Sequence, residues 1–250
     1  MKKIYLLLLL LIFSISLNAY EIGEELIFDL SYGFITAGSS TIKINETVYN
    51  DTIACLEVES ISKTNSFFDK IFKVRDRINS IWDAEQNHAY KFSKNLREGS
   101  YRQQRIHYYY PEQNLTVYMK KDKKATKFKT ESFEIPANTH DILSAFYWAR
   151  AQDLAVGDSL STNVTVDGKS YRAGLLVLRA ETIESIFGEQ ECLVVEPVLA
   201  GDSIFKQTGK ILIWLSNDQR KIPLKIESKI VFGSFKAILR EVKNVSYQKK

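Results

Sequence analysis

The sequence predicts a mainly β, antiparallel protein: two pseudo-repeated curved sheets, as a half-barrel or sandwich, with one helix between the repeats. Three observations predict it. Apolar and polar residues alternate over short runs, the period of a half-buried strand. Gly, Asn, Asp and Pro clusters fall between those runs and supply turn chemistry. The second half of the chain also echoes the first. Gly23-Glu24-Glu25-Leu26 returns as Gly157-Asp158-Ser159-Leu160, and Cys55-Leu56-Glu57-Val58-Glu59 as Cys192-Leu193-Val194-Val195-Glu196. Ile81-Trp82 returns as Ile213-Trp214, and Gly99-Ser100-Tyr101-Arg102 as Gly233-Ser234-Phe235-Lys236, in the same order and over the same overall span.

Residues 1–19 read as a secretory signal: Lys2 and Lys3, the apolar run Ile4 to Phe13, then Leu17-Asn18-Ala19 before the cut. The run is short for a bilayer span, which takes about 20 apolar residues. Cleavage before Tyr20 and export to the periplasm, or beyond the cell, are expected; the alternative is a retained anchor. After cleavage no transmembrane segment is expected. The organisation expected downstream is a first β repeat over 20–135, a connecting helix over 136–155 and a second β repeat over 156–250, together one compact domain.

In the first repeat, Leu26, Phe28, Leu30 and Tyr32 alternate with polar neighbours and predict a strand over Glu25–Tyr32. Further strands are predicted at Thr41–Val48, around Cys55, and at Ile71–Trp82, Tyr90–Arg97, Tyr101–Tyr110, Asn114–Met119 and Thr126–Phe133. In the second they fall at Leu160–Val166, Tyr171–Ala180, Cys192–Leu199, Gly209–Leu215, Leu224–Phe232 and Phe235–Tyr247, with Asp167-Gly168 as a two-residue hairpin turn. Between them, Ile142, Ala145, Phe146 and Ala149 take helical spacing over Asn138–Leu154. Asn138 or Thr139 can cap this helix, Asp141 sits in its first turn, and Gly157 ends it.

The 34 basic and 30 acidic residues are nearly balanced, more so without Lys2 and Lys3, so a nucleic-acid partner is not expected. His88, His107 and His140 are scattered without metal-motif spacing, and no metal or other cofactor is expected. No Gly-x-Ser-x-Gly elbow, HExxH or Gly-rich phosphate loop occurs. Cys55 and Cys192 form either a disulfide, as an oxidising compartment favours, or two separate buried thiols.

The segment Lys63 to Lys70 places Phe67 and Phe68 in a polar loop, where burial against the sheet is the expectation. Beyond it, Asp76 shares an apolar face with Val74 and Ile78, so it needs a partner, for which Arg97 and Arg102 are candidates. Lys120, Lys121, Lys123, Lys124, Lys127 and Lys129 crowd one hairpin, either as edge protection or as a contact for anionic headgroups.

Several stretches together carry a family resemblance: Gly23-Glu24-Glu25-Leu26 with Ser31-Tyr32-Gly33 and Ala37-Gly38, Lys63-Thr64-Asn65-Ser66-Phe67-Phe68, Val74-Arg75-Asp76-Arg77, Arg97-Glu98-Gly99, Asp141 to Tyr147, and Cys192 to Pro197. They resemble the bacterial exported proteins grouped as domain of unknown function 3108. The resemblance covers nearly the whole chain after residue 19 and implies an exported envelope protein; it assigns no activity. Trp82-Asp83 and Trp214-Leu215, each followed by a turn and a Lys-bearing strand, are similar to the pattern of periplasmic lipoprotein carriers. Those are half-barrels whose helices close an apolar hollow.

The function expected is therefore a non-enzymatic periplasmic protein that binds an apolar or amphipathic envelope ligand. Asn65, Phe67, Phe68, Arg75, Arg97, Asp141 and Tyr147 are the candidate binding residues; no catalytic residue is assigned. The alternatives are a structural module engaging another envelope protein, and a hydrolase built from carboxylates such as Asp76 and Asp141.

Overall fold

The computed structural model describes residues 19–199, 210–229 and 234–245. Residues 1–18 of the expected signal, Gly233 of the last echo, and the ends of three predicted strands at 209, 230–232 and 246–247 lie outside the described residues. The strands run β1 (Glu25–Tyr32), β2 (Ile35–Tyr49), β3 (Ile53–Thr64), β4 (Arg75–Asp83), β5 (His88–Glu98), β6 (Tyr101–Tyr110), β7 (Leu115–Asp122) and β8 (Lys129–Glu134). The two-residue β9 (Thr139–His140) leads into helix α1 (Ile142–Arg150). Then follow β10 (Ser159–Val166), β11 (Lys169–Ser185), β12 (Gly188–Leu199), β13 (Ile211–Ser216), β14 (Pro223–Lys229) and β15 (Ser234–Lys243).

All fifteen join one open, curved sheet in the order β8-β7-β6-β5-β4-β3-β2-β1-β15-β14-β13-β12-β11-β10-β9. Neighbours are antiparallel except β9 and β10. The two expected sheets are thus fused edge to edge through β1 and β15, where Leu30 faces Ala237 and Phe28 faces Leu239. Bulges bend the sheet at Ile27/Phe28 and Leu30/Ser31 in β1, at Ile81/Trp82 in β4, and at Trp214/Leu215 in β13. At Gly38 in β2 a Cβ would lie 2.1 Å from the Lys63 carbonyl oxygen, so only glycine allows this approach of β2 to β3.

The far ends of the sheet meet through side chains. The β10–β11 hairpin turns on Asp167 and Gly168, both at positive φ, as the sequence predicts. Its tip reaches back to β5–β7. Lys94 pairs with Asp167 at 2.6 Å, the Gly168 N–H donates to His107 Nε2 at 3.3 Å, and the Tyr109 hydroxyl bonds Thr165 Oγ1. His107 is buried, and burial lowers its pKa to about 4.

α1 is shorter than its periodicity predicts because Thr139 and His140 pair with β10. Asp141 is the cap: it accepts the Leu143 and Ser144 N–H groups, while Ser144 Oγ accepts the Asp141 N–H, a capping box. Cys55 and Cys192 are free and buried, so the bridge considered between them is not formed. Their strands, β3 and β12, are separated in the sheet by β2, β1, β15, β14 and β13. Burial pushes their thiols up to about 11 and about 12, far from reactive range.

The tryptophans do not occupy matching positions. Trp82 faces Leu56, the residue after Cys55, whereas Leu215 faces Leu193, the residue after Cys192; Trp214 faces Val194. Alternation therefore puts the two indoles on opposite faces relative to the cysteines.

Candidate functional site

Helix α1 lies across the sheet and presents two sides. Leu143 and Tyr147 pack with Ile44, Val58 and Trp82 of β2–β4, and Tyr20 adds its ring to Tyr147 at 5.2 Å, edge to face. The other side carries Ile142, Ala145, Phe146 and Ala149. These face Leu160, Thr162 and Val164 of β10, Ala173 and Leu175 of β11, Pro197 and Leu199 of β12, and Ile211 and Ile213 of β13, around an open cavity of about 350 Å³. The lining is almost wholly apolar. The strand residues named share one face by alternation: Leu160 pairs with Leu175 and Thr162 with Ala173. Leu175 in turn pairs with Pro197, and Ala173 with Leu199. Gly174 also borders the cavity, and a Cβ there would meet Val198 Cγ2 at 2.8 Å.

Beneath the C-terminal end of α1 lies a buried ion pair that sequence reasoning missed. Arg150 donates to Glu24 Oε1 at 2.6 Å and Oε2 at 3.0 Å, and to the carbonyls of Ala19 and Arg220. Tyr147 donates its hydroxyl to Glu24 Oε1 at 3.2 Å, and the Arg150 guanidinium lies over the Tyr147 ring. Arg150, Tyr147 and Glu24 are all fully enclosed. The network ties the segment before β1, the helix and the β13–β14 turn into one unit. The one-dimensional signal was Glu24 within the Gly23-Glu24-Glu25-Leu26 echo; its partner lies 126 residues away.

Six of the seven residues singled out from sequence separate into two places, and the seventh, Arg97, stands exposed near the end of β5. Asn65, Phe67, Phe68 and Arg75 gather in the β3–β4 connection. Asn65 Oδ1 accepts the N–H groups of Phe67 and Phe68, and Arg75 forks onto Asp69 at 2.9 and 2.6 Å, holding that carboxyl down to about 2. The expected burial fails for Phe67, which is 64% exposed, while Phe68 is half-buried. Asp141 and Tyr147 belong to α1 and face the filled side. Asp141 has no solvent access and accepts Ser80 Oγ–H at 2.6 Å as well as its cap bonds, so it anchors the helix start to β4.

Asp76 finds neither guanidinium expected of it. It accepts the backbone N–H of Arg97 at 2.8 Å and lies beside Glu98, whose pKa is raised by burial and by the Asp76 charge and hydrogen bond. Asp76 and Asp141 thus have separate surroundings. Among the described residues no group of three or more His, Cys, Asp or Glu is placed to hold a metal ion, and no described helix is long and apolar enough to cross a membrane.

Comparison with known proteins places this geometry. A search of curated proteins gave no match. Among solved structures, a β-barrel-like protein of the domain of unknown function DUF1849 from Brucella abortus superposes with a TM-score of 0.56 at 11% identity, covering 89% of this chain and 97% of that one. A protein described as exported, with a YmcC-like fold, from Bacteroides fragilis is aligned over 90% of this chain and 97% of its own at 8% identity and a TM-score of 0.35. The first likeness shows a shared barrel-like fold. The family described as Protein of unknown function (DUF3108) matches residues 27–240, from β1 into β15, and the chain belongs to that family.

Proposed function

We propose that this protein is an exported, non-enzymatic envelope protein that binds an apolar or amphipathic ligand between α1 and β10–β13. The observation that carries the reading is the open, apolar cavity of about 350 Å³, bounded on one side by the helix and on the other by a curved sheet. Pockets of about 300–1,000 Å³ are the usual size for small-molecule sites. Empty apolar surface of this kind is costly to leave facing water unless an apolar guest displaces that water. Exposed Ile142 at the start of α1 lies at the rim, where an amphipathic ligand would keep its polar end in solvent.

The proposed export involves cleavage before Tyr20. That cut would remove the Ala19 carbonyl from Arg150 but leave both Glu24 oxygens and the Arg220 carbonyl as acceptors. We also infer that the two halves are related by duplication. Gly23 and Gly157 both take positive φ. Each precedes a matched pair of bonds: Gly23 N–H to Ile44 C=O with Ile44 N–H to Glu24 C=O, and Gly157 N–H to Val177 C=O with Val177 N–H to Asp158 C=O.

Native mass spectrometry of protein recovered from its own envelope tests the binding. A co-purifying lipid is expected, and it is expected to vanish in Ala173→Phe, whose ring enters the cavity from the face shared with Thr162 and Leu199. A clean apo mass over repeated preparations, with Trp148 fluorescence unquenched by a brominated fatty acid, overturns the reading.

A further inference from the structure

At the end of the sheet opposite the Glu24–Arg150 network, several connections expose large apolar side chains together. The β1–β2 turn presents Phe34, fully exposed, followed by Ile35; the β3–β4 connection presents Phe67, Ile71 and Phe72, each more than half exposed. Tyr101 opens β6 beside them. The connections are braced against one another. The Gly99 N–H donates to the Lys73 carbonyl at 2.8 Å, and the Phe72 ring lies so close to Gly99 that a Cβ there would meet it at 2.6 Å. The Asn65 cap and the Arg75–Asp69 fork hold the β3–β4 connection from within, so its aromatics are held outward.

Charge is the second observation. Lys63, Lys70, Lys73 and Arg102 stand exposed around these apolar residues, and the β7–β8 hairpin brings Lys123, Lys124 and Lys127 to the same end. Of the acidic groups nearby, Asp69 is held by Arg75, Asp122 by Arg105, Glu131 by Lys120 and Lys129, and Asp167 by Lys94, while Asp76 and Glu98 share a hydrogen bond with each other. Between β1, β2, β3 and β15 a second apolar cleft, of about 290 Å³, opens at this end with Lys63 and Lys236 among its lining residues. Exposed aromatic and aliphatic tips ringed by lysines fit an acyl–headgroup boundary carrying negative charge. A protein partner with an acidic rim is the outcome this charge pattern must be tested against.

We propose that this end of the sheet docks on a bilayer surface rich in anionic phospholipid, with Phe34, Phe67, Ile71 and Phe72 entering the headgroup–acyl boundary and the surrounding lysines meeting phosphate. The surface is separate from the α1 cavity, so either can fail alone.

The test is sedimentation of the envelope-purified chain with vesicles of phosphatidylcholine alone or mixed with phosphatidylglycerol. Four forms are compared, all with the same amino terminus: wild type, F34S/F67S/I71S, K63Q/K70Q/K73Q, and V48S/I186S, whose exposed apolar residues lie at the opposite end. Wild type and V48S/I186S are expected to bind the mixed vesicles equally, and pure phosphatidylcholine about tenfold more weakly. The apolar triple variant is expected to lose about tenfold or more on the mixed vesicles with an unchanged melting temperature. The lysine variant is expected to lose the preference for phosphatidylglycerol. No vesicle binding by wild type, equal loss in V48S/I186S, or indifference to both triple variants overturns the proposal. Concentration-dependent self-association removed by F34S/F67S/I71S, without vesicle binding, also overturns it and assigns the surface to a second copy.

Discussion

The two sides of helix α1 are packed to different degrees, although each lies on the same sheet. Over β2–β4 the space is filled by Trp82, Tyr147 and Tyr20; over β10–β13 it is left open between Phe146, Ala145 and a floor that includes Ala173 and Gly174. Matched from the cysteines, the strand position that holds Trp82 on the filled side holds Leu215 on the open side. Leu215 is itself fully buried among Val177, Leu193 and Val195, so the hollow lies farther along the strands, at Ile211 and Ile213. The comparison teaches that one β scaffold can carry a filled side and an open side beneath the same helix.

The largest expected effect breaks the rigid side. Glu24→Ala leaves Arg150 charged and enclosed with only carbonyl acceptors, and a loss of about 3–5 kcal/mol is expected in urea unfolding. Glu24→Gln should recover part of it by keeping an acceptor.

Trp82→Ala tests the difference itself. Removing this almost wholly buried ring should cost about 3–5 kcal/mol and open a second cavity on the filled side, seen as added binding of an apolar dye. Ile213→Ala, which only widens a cavity already open, should cost about 2 kcal/mol at most. Equal losses for the two substitutions would mean that the hollow side is as tightly packed as the filled one.

Near neutral pH the effect is smallest where the β10–β11 hairpin tip meets β6. Burial holds His107 and His140 at about 4, below the ordinary 6.5, so both are neutral when folded. As pH falls from 6.5 to 4 the unfolded chain takes up these protons first, so stability declines across that window and levels off below it. Each full shift corresponds to about 3 kcal/mol, approached only at the acid end of the window. At His107, protonation also costs the Gly168 N–H its acceptor, so the hairpin tip should release first. The protection factor of the Gly168 amide, corrected for the intrinsic exchange rate at each pH, should fall from pH 7 to 5 before those of β1, and His107→Gln should flatten the difference.

Much of the strand pattern was legible because one face of each strand is buried and period-two alternation follows directly. Glu25–Tyr32 and Tyr101–Tyr110 fall as predicted. The helix was visible from Ile142, Ala145, Phe146 and Ala149, yet its start was misjudged, because Thr139 and His140 are claimed by pairing with β10, a partner periodicity does not reveal. The matching of Trp82 with Trp214 failed by one residue, since sequence likeness does not record strand register. Phe67 was expected inside on the general preference of large apolar side chains, which the rigid β3–β4 connection overrides. A hollow between helix and sheet was expected, but its place was illegible: it is a matter of missing volume, and Ala173 looks unremarkable until β10, β12 and α1 surround it. The Glu24–Arg150 pair was hidden for a similar reason, its halves lying far apart along the chain.

The joining of β1 to β15 has a consequence for how such a chain acquires its shape. Glu25 meets Lys243, its partner 218 residues later, in the middle of the sheet. A polypeptide delivered amino end first therefore emerges with β1 lacking one neighbour until nearly everything else has arrived. Closing so long a loop is slow and exposes an unpaired strand edge meanwhile. Pairing of β15 with both β1 and β14 is the step that joins the two halves of the sheet.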